Sequence, residues 1–428
     1  MLNGLFIMAS ILVIFTEFSN AQQPCYIEQV TFETIGQSSR PSISSDGFYI
    51  AFRSSANING SNLEGNSEIY LYERLSRNIT SVTNTDVGIT NLDPSISSNG
   101  QLVVFTSNGD LSGNNSDGNE EVFLFNAASG NITQITNTDN GFNGRPVISN
   151  NGKIIAFESS SNISNGNPEG NTEIYIYNLD TGIFSQLTDQ PTGDSMNVSI
   201  NQDGNRIAFQ SSADIGGSNI NGNFEIYLAD TTTNTLIQIT DTVTGENTSP
   251  SIDGLGVRIA FIGRANINGG NADGSPEIFL YDLIADSFIQ VTSTATIFES
   301  REPSLSGNGL ILAFNSSASI NGDGNEGTNQ LYLFDIQSGK FTKVAQTTSG
   351  LTTNPDTDLN GVITAFQSAF NIVGDNPEGN VEIYVATCNL NSSAIKSIPT
   401  LSEAALFTFA LSIIIIALIF LVRGRLLQ

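Results

Sequence analysis

The chain has 428 residues, of which 39% are hydrophobic and only 13% charged, and its formal net charge is −27 at pH 7. This charge argues against a nucleic-acid or anionic-lipid surface, because phosphate binding needs clustered Lys and Arg. Histidine is absent and the only cysteines are Cys25 and Cys388. These counts exclude Ser-His-Asp and Cys-His catalysis, the common His-ligated metal sites and thiolate clusters.

Residues 1–21 have the features of a secretory signal peptide. The stretch LFIMASILVIF is an apolar core of suitable length, and Ser19, Asn20 and Ala21 offer small residues at a cleavage point. We therefore expect the protein to be exported and its folded part to begin near residue 22.

The next segment, CYIEQVTFETIG at Cys25–Gly36, has the pattern of a single β-strand closed by glycine. No strand precedes it with which it can pair. A lone strand leaves its backbone groups unsatisfied, so its partner has to come from elsewhere in the chain.

The region that follows is a sevenfold repeat. The segment PSISSDGFYIAF at Pro41–Phe52 recurs with a spacing of 52 or 53 residues, in copies that begin at residues 41, 94, 146, 198, 250, 303 and 355. The sixth residue after each start is glycine and the eleventh is phenylalanine in all seven copies. Repeats of this length indicate a solenoid, a propeller or an array.

Each repeat contains four predicted strands. The first two flank an Asp-Gly or Asn-Gly turn, which is a strong hairpin signal because the turn needs φ > 0. A loop then leads to a third strand such as EIYLY at Glu68, and a short turn to a fourth such as NITSVTN. Four antiparallel strands in about fifty residues are typical of a propeller blade.

The seventh repeat lacks its fourth strand, and the opening strand supplies it. We therefore predict an all-β fold over residues 22–388, a seven-bladed β-propeller of four-stranded blades in which Tyr26–Phe32 pairs with Glu382–Thr387. The pairing brings Cys25 and Cys388 to neighbouring strand ends, where a disulfide can form. Two unrelated buried thiols are the alternative.

The Pro-x-hydrophobic-Ser-x-Asp-Gly hairpin, the Ala-Phe strand and the Ile-Tyr strand resemble the TolB-type, WD-repeat-like propellers of bacteria. The resemblance covers residues 26–388 and implies the propeller fold. For function it implies little, since such propellers serve as binding scaffolds, periplasmic adaptors and occasional parts of enzymes.

Three arginines stand next to the repeat prolines. Arg40 and Arg145 directly precede theirs, and Arg301 lies two residues before its own. At one rim of the channel they can receive a carboxylate or sulfate. The alternative is ordinary ion pairing with Asp93, Glu302 or Asp356, which contributes little to stability.

The loops between second and third strands share the pattern seen in NLEGNSE and NPEGNTE. Oxygen-bearing side chains at its first, third and seventh positions resemble the start of a Ca²⁺ loop. The candidate ligands are Asn62, Glu64, Glu68, Asn167, Glu169, Glu173, Asn376, Glu378 and Glu382. Turn formation by Gly and Asn is the simpler alternative, and no other cofactor is expected.

An enzyme is less favoured by the sequence. A glycosidase can use two rim carboxylates, such as Asp194, Glu246 or Glu299, but the spacing singles out no pair. Polysaccharide lyases on TolB-like propellers depend, in that family, on histidine and metal. We therefore expect a non-catalytic binding or structural module with a protein or glycan ligand at one face. The alternative is a carbohydrate-active hydrolase that uses channel-rim carboxylates.

The C-terminal region follows a linker at residues 389–397. An uncharged apolar run spans 404–422, long enough for a transmembrane helix, and Arg423 and Arg425 follow it. The preceding motif comprises Ile398, Pro399, Thr400, Leu401, Ser402 and Glu403.

This order of motif, helix and arginines over residues 398–428 resembles the IPTL-type C-terminal sorting signal of bacteria. The family usually has Trp after the Glu, where this chain has Ala404. The resemblance implies an exosortase-like peptidase as a partner. It also implies passage through the inner membrane to the cell surface or extracellular matrix.

Overall fold

A computed structural model describes residues 25–295, 297–322, 326–345 and 351–390. Within these ranges the chain forms 28 strands and five short 3-10 turns. The predicted signal peptide and the sorting signal with its apolar run lie outside the described residues, as does most of the linker. In the described ranges no helix is long and apolar enough to cross a membrane.

The strands form seven antiparallel sheets of four, one for each sequence repeat. Blade 1 contains β2 (Ser38–Ile43), β3 (Tyr49–Ser54), β4 (Glu68–Glu73) and β5 (Asn78–Ser81). Blade 2 contains β6 (Asn91–Ile96), β7 (Leu102–Ser107), β8 (Glu121–Asn126) and β9 (Asn131–Gln134). Blade 3 contains β10 (Asn143–Ile148), β11 (Ile154–Ser159), β12 (Glu173–Asn178) and β13 (Ile183–Gln186). Blade 4 contains β14 (Ser195–Ile200), β15 (Arg206–Ser211), β16 (Glu225–Asp230) and β17 (Thr235–Gln238).

The remaining three blades follow the same order along the chain. Blade 5 contains β18 (Asn247–Ile252), β19 (Arg258–Gly263), β20 (Glu277–Asp282) and β21 (Ser287–Gln290). Blade 6 contains β22 (Ser300–Leu305), β23 (Ile311–Ser316), β24 (Gln330–Asp335) and β25 (Lys340–Lys343). Blade 7 contains β26 (Thr352–Thr357), β27 (Ile363–Ser368), β28 (Glu382–Cys388) and β1 (Cys25–Gln29). The 3-10 turns are Ile58–Gly60, Ile163–Asn165, Ile215–Gly217, Ile267–Gly269 and Ile320–Gly322.

The core lies between neighbouring blades. In every blade the repeated Phe of the second strand stacks on a Tyr or Phe of the third, with ring centroids 5.6 to 5.9 Å apart. The preceding blade presents two aliphatic residues to this pair, as Ala51 and Ile69 do to Phe105 and Phe123, and the first of them is alanine except for Val104 in blade 2. Because a small residue faces a large pair, the blades can pack closely without voids. The Ala-Phe dipeptide of the repeat therefore serves two interfaces, one on each face of its blade.

The opening strand completes the last blade, which confirms the predicted closure. β1 pairs with β28 in antiparallel register, from Cys25 opposite Cys388 to Gln29 opposite Tyr384. The strand ends at Gln29, earlier than predicted, but the Val30 N–H still donates to the Ile383 carbonyl at 2.8 Å. A disulfide joins Cys25 and Cys388, whose Cα atoms are 4.0 Å apart. A link across 363 residues restricts the unfolded chain and contributes an upper figure on the order of 5 kcal/mol.

The hairpin turns between first and second strands join into a ring around one end of the channel, here called the turn ring. Each turn donates a backbone hydrogen bond of 2.9 to 3.4 Å to the turn of the next blade, and the last turn returns to the first. The contacts are Asp46 N–H to Ser98 O, Ser98 N–H to Asn150 O, Asn151 N–H to Gln202 O, Gln202 N–H to Gly254 O, Gly254 N–H to Gly307 O, Gly307 N–H to Asp358 O and Leu359 N–H to Ser45 O.

The close approach of backbone atoms in the turn ring predicts that Gly254→Ala lowers the stability of the protein. A Cβ at residue 254 would lie 2.6 Å from the carbonyl oxygen of Gly307, and backbone cannot move aside as a side chain can. We expect the free energy of unfolding to fall by about 1 to 3 kcal/mol, measured by urea denaturation.

Gly270→Ala is the matched control for this variant. Its Cβ would meet only the end of the Gln290 side chain, which can rotate away, so a smaller loss of stability is expected. An equal loss in both variants would contradict the proposed role of the turn ring.

Candidate functional site

Every first strand carries a β-bulge that turns one side chain toward the channel. In blade 1 the ladder skips from Ser39 to Ser42, and all the other blades skip at the same place. The residue before the repeat proline, or before Val198 in blade 4, has a left-handed backbone in each blade, with φ between 46° and 55°. These residues form what we call the pre-proline ring: Arg40, Asp93, Arg145, Asn197, Ser249, Glu302 and Asn354. Left-handed non-glycine residues are uncommon, and bulges often re-aim side chains at functional sites.

In blades 1, 3, 4 and 5 the bulge is stabilised by one recurring contact with the preceding blade. The side chain that follows the repeated Phe accepts a hydrogen bond from the N–H of the next blade's pre-proline residue. The contacts are Thr106 to Arg145 (3.2 Å), Glu158 to Asn197 (2.7 Å), Gln210 to Ser249 (2.8 Å) and Gln367 to Arg40 (2.7 Å). We call this place in the repeat the bulge-capping position. Thr and Gln meet its structural requirement, so the carboxyl group of Glu158 is not needed for folding.

The pre-proline ring forms the mouth of a channel of about 460 Å³. The first strands of all seven blades line it, and residues of the turn ring such as Ser45 and Gly254 lie at the other end. A volume of this size lies within the range of small-molecule sites.

Most of the charged side chains at the mouth lie on the side formed by blades 1 to 3, and Glu302 of blade 6 adds one carboxyl group on another side. Arg40 Nε lies 3.5 Å from the Asp93 carboxylate, and Arg145 Nη1 lies 3.6 Å from Glu158 Oε2. The Arg145 side chain also donates to Asn197 Oδ1 at 3.4 Å. Both arginine side chains are 50% exposed, whereas that of Glu158 is only 3% exposed. Two accessible cations therefore stand beside one buried acid.

Burial raises the pKa of Glu158 to about 7, and the negative charge of Asp93 adds to the rise. Arg145 and the N–H of Asn197 act in the opposite direction but do not offset the loss of water. Near neutral pH this carboxyl group can therefore both give and accept a proton, as a general acid or base must.

A second perturbed carboxyl group lies deeper in the channel. Asp356 accepts the Ile43 N–H at 2.8 Å and stands where five other blades have serine. Burial raises its pKa to about 6, although its hydrogen bonds lower it in part.

The predicted arginines do not all converge. Arg40 and Arg145 line the channel, but Arg301 is absent from the described lining and pairs with Glu299 at 2.5 Å. Arg301 stands one residue before the bulge residue Glu302, so its side chain leaves the strand elsewhere. Its assignment to a ligand site stays a prediction.

The acidic residues expected at the rim also differ in where they lie and in what they bind. Of the predicted ion-pair partners, Asp93 does pair with Arg40, whereas none of the ion pairs in the described ranges includes Glu302 or Asp356. The rim carboxylates suggested for a glycosidase lie outside the channel lining. Asp194 and Glu246 accept backbone N–H groups of the adjoining loops at 2.9 and 2.8 Å, and Glu299 binds Arg301.

The loops considered for Ca²⁺ use most of their oxygens internally. Asn62 Oδ1 accepts the Gly65 N–H at 3.0 Å, while Glu64 is exposed and Glu68 is fully buried. Glu68 accepts hydrogen bonds from Asn66, Thr85 and Asn91. The same division between buried and exposed side chains holds for Asn167, Glu169, Glu173, Asn376, Glu378 and Glu382. The hydrogen bonds account for these loops as turns, and Ca²⁺ binding stays a prediction.

Sequence reasoning missed Glu158, Asn197 and the hydrogen bond that joins their positions in neighbouring blades. The signal was present in the repeats. Alignment of the seven copies shows charged residues before the proline and after the Phe only in some blades, and these departures from a common pattern mark the site. What the alignment does not show is that a bulge brings both positions to one mouth.

No family model matches the chain, and no curated protein matches it. Solved structures do match. An oligogalacturonate lyase from Vibrio parahaemolyticus has a TM-score of 0.60 at 12% identity, over 87% of this chain and 96% of that one. An oligogalacturonate lyase in complex with manganese has a TM-score of 0.59 at 11% identity, over 87% and 95%. TolB from Acinetobacter baumannii matches with 18% identity and a TM-score of 0.44, over 72% and 63%.

The two lyase matches confirm the propeller fold and contradict the expectation of a non-catalytic module that is not an enzyme. The two matches with TM-scores near 0.6 are both carbohydrate-active enzymes on this fold. At 11 to 12% identity the likeness shows the fold alone, but the carbohydrate-active alternative fits these findings better than a purely binding role does.

The manganese of one matched lyase has no counterpart among the residues present. Histidine is absent from the sequence, and in the described ranges no group of three or more Cys, Asp or Glu residues is placed to hold a metal ion. No step proposed below uses a metal.

The raised carboxyl pKa values predict that stability falls as pH rises from about 5 to 8. Burial raises the pKa of Glu158 and Glu382 to about 7 and that of Asp356 to about 6, above the values near 4 of an unfolded chain. The folded state therefore binds more protons in this range, and the free energy of unfolding decreases by about 1 to 3 kcal/mol for each such group. Groups with lowered pKa, such as Asp230 at about 2, act only at more acidic pH.

Urea denaturation at several pH values measures this slope. Glu382→Gln should flatten it, because blade 6 has Gln330 at the equivalent strand start and shows that glutamine fits there. Stability that rises between pH 5 and 8 would contradict the assignment.

Proposed function

We propose that the protein is a carbohydrate-active hydrolase that cleaves an acidic saccharide at the pre-proline ring. The observation that carries this proposal is Glu158, a buried carboxyl group with a pKa of about 7 at the mouth of the channel. The other blades have Arg53, Thr106, Gln210, Ile262, Asn315 and Gln367 at this position, so the fold itself does not require a carboxyl group there.

Two carboxyl groups supply the chemistry. Glu158 Oε1 accepts the Asn197 N–H, which leaves Oε2 to carry the proton. In the proposed reaction Glu158 donates this proton to the glycosidic oxygen as the bond to the anomeric carbon breaks. A water molecule adds to the anomeric carbon and gives its proton to Asp93, whose carboxylate lies 3.5 Å from Arg40 Nε. Paired carboxyl groups in different environments are the usual arrangement for this reaction.

The arginines supply affinity for a negative charge. Arg40 and Arg145 each extend a half-exposed side chain at the mouth, and Arg53 lies close enough to Arg40 for their repulsion, after burial, to lower the pKa of Arg53. Such a cluster stands out in a chain with 15 basic and 42 acidic residues. A carboxylate or sulfate on the substrate would offset the repulsion between the guanidinium groups of Arg40 and Arg53. The matched structures are of enzymes named for an acidic sugar, which agrees with this substrate class.

Glu158→Gln tests the proposal. Glutamine keeps the hydrogen bond to Asn197, as Gln210 does for Ser249, but it cannot transfer a proton. We expect kcat on a panel of uronic-acid and sulfated oligosaccharides to fall by about 10²- to 10⁴-fold, measured by release of reducing ends.

Two observations complete this test. The free energy of unfolding should change little in Glu158→Gln, which separates catalysis from folding. Glu299→Gln removes a carboxylate outside the channel and should leave activity intact. Full activity in Glu158→Gln, or no cleavage of any saccharide in the panel by the native protein, would refute the proposal.

We also propose that the enzyme is exported and displayed at the bacterial surface. The signal-peptide features, the apolar run 404–422 and the IPTL-type motif support this, with an exosortase-like peptidase as the partner. The Cys25–Cys388 disulfide agrees with an oxidising compartment.

Substitution of the motif at Ile398–Glu403 by alanine provides the test of sorting. The protein should then remain in the membrane fraction instead of reaching the surface or medium, as fractionation and immunoblotting would show. Unchanged delivery to the surface would count against a sorting signal at this motif.

A further inference from the structure

A second ring of side chains lies below the mouth. Two residues beyond each pre-proline residue, five blades place a serine in the channel wall, while blade 3 has Val147 and blade 7 has Asp356. We call Ser42, Ser95, Ser199, Ser251 and Ser304 the serine ring. At about 3.3 Å per residue the ring is about 7 Å deeper than the arginines.

The serine ring keeps hydrogen-bonding capacity for a ligand. Ser95, Ser199 and Ser251 each accept the N–H of the third residue after the pre-proline residue in the next blade, at distances between 2.9 and 3.2 Å. A hydroxyl group has one proton and two acceptor positions, so each of these serines retains a donor and an acceptor. Neutral sugar hydroxyls have the same combination of donor and acceptor.

Asp356 gives this depth of the channel a negative charge. Its Oδ2 accepts the Ile43 N–H at 2.8 Å, and its Oδ1 accepts the Thr357 N–H at 3.1 Å and the Ser304 hydroxyl at 3.4 Å. Its partners are neutral, and no ion pair within the described ranges includes it. The channel therefore has accessible cations at its mouth and an uncompensated carboxyl group inside.

We propose that Asp356 and the serine ring form a subsite for a neutral sugar and disfavour an acidic one. This rests on the proposed hydrolase function and narrows its substrate class. An acidic residue binds to Arg40 and Arg145 at the mouth while the adjoining neutral residue enters the channel. The preferred substrate then alternates acidic and neutral sugars, because a second carboxylate would meet Asp356 at short range with little water between them.

Asp356→Ser is the decisive variant, since it gives blade 7 the residue that five other blades have at this position. The substrates are a hyaluronan tetrasaccharide, in which acidic and neutral sugars alternate, and trigalacturonate, in which every sugar is acidic. We expect the native protein to favour the alternating substrate at least tenfold in kcat/KM. Asp356→Ser should reduce this preference about tenfold, through a lower KM for trigalacturonate with little change in kcat.

Ser251→Ala serves as the control, because it removes a hydroxyl group but no charge. It should weaken the binding of both substrates alike and leave the ratio of their kcat/KM values unchanged. If both are cleaved and Asp356→Ser leaves the ratio unchanged, the subsite is wrong while the hydrolase function stands.

If neither substrate is cleaved, the hydrolase proposal fails on these substrates and titration calorimetry still decides the subsite. Tighter binding of the alternating tetrasaccharide than of trigalacturonate would support the subsite, provided that this difference in affinity is lost in Asp356→Ser. Equal binding of both probes to the native protein would overturn it.

Discussion

The stacked aromatic pairs pack against an alanine of the preceding blade, or against Val104 of blade 2, so every blade needs a neighbour on both sides. A ring meets this requirement only if its last blade is complete. The chain achieves completion by pairing β1 with β28, and the strand brings Val30 and Thr31 with it to fill the positions that fourth strands fill elsewhere. The disulfide covers the same seam. The channel, the turn ring and the mouth all exist because this one pairing closes the circle.

The sevenfold repetition provides an internal comparison of a kind that most folds lack. A residue shared by all blades serves the fold, as the repeated Phe does in its stacked pair. The bulge-capping position separates what the fold needs from what function adds. Gln210 and Gln367 accept the hydrogen bond with a neutral amide, whereas Glu158 accepts it with a carboxyl group. Positions where one blade departs from the others are thus the places where function can be separated from architecture.

The charges of the site oppose the folding of the domain. Asp356 lies in the channel wall among neutral hydrogen-bond donors, and the Arg145 ion pair does not offset the burial of Glu158, so both carboxyl groups are buried without full compensation, which is unfavourable. Left-handed backbone at seven non-glycine positions adds further strain around the same mouth. The closed ring and its aromatic interfaces offset these costs. Stability is thus concentrated between blades, and reactive groups are concentrated where the first strands meet.

The sequence by itself determined the number of blades, the four strands of each, the closing strand and the disulfide pair. These follow from periodicity and turn chemistry, which are local, and from counting strands in the last repeat. The sequence did not determine which side chains share the mouth, and Arg301, which it suggested for the rim, is absent from the described channel lining. Only the tertiary structure decided that, because the bulge rotates the residue before the proline into the channel while its neighbour one position earlier faces elsewhere. Glu158 joins Arg145 and Asn197 through contacts between strands and blades, and such contacts depend on register and on ring closure, which no short stretch of sequence encodes.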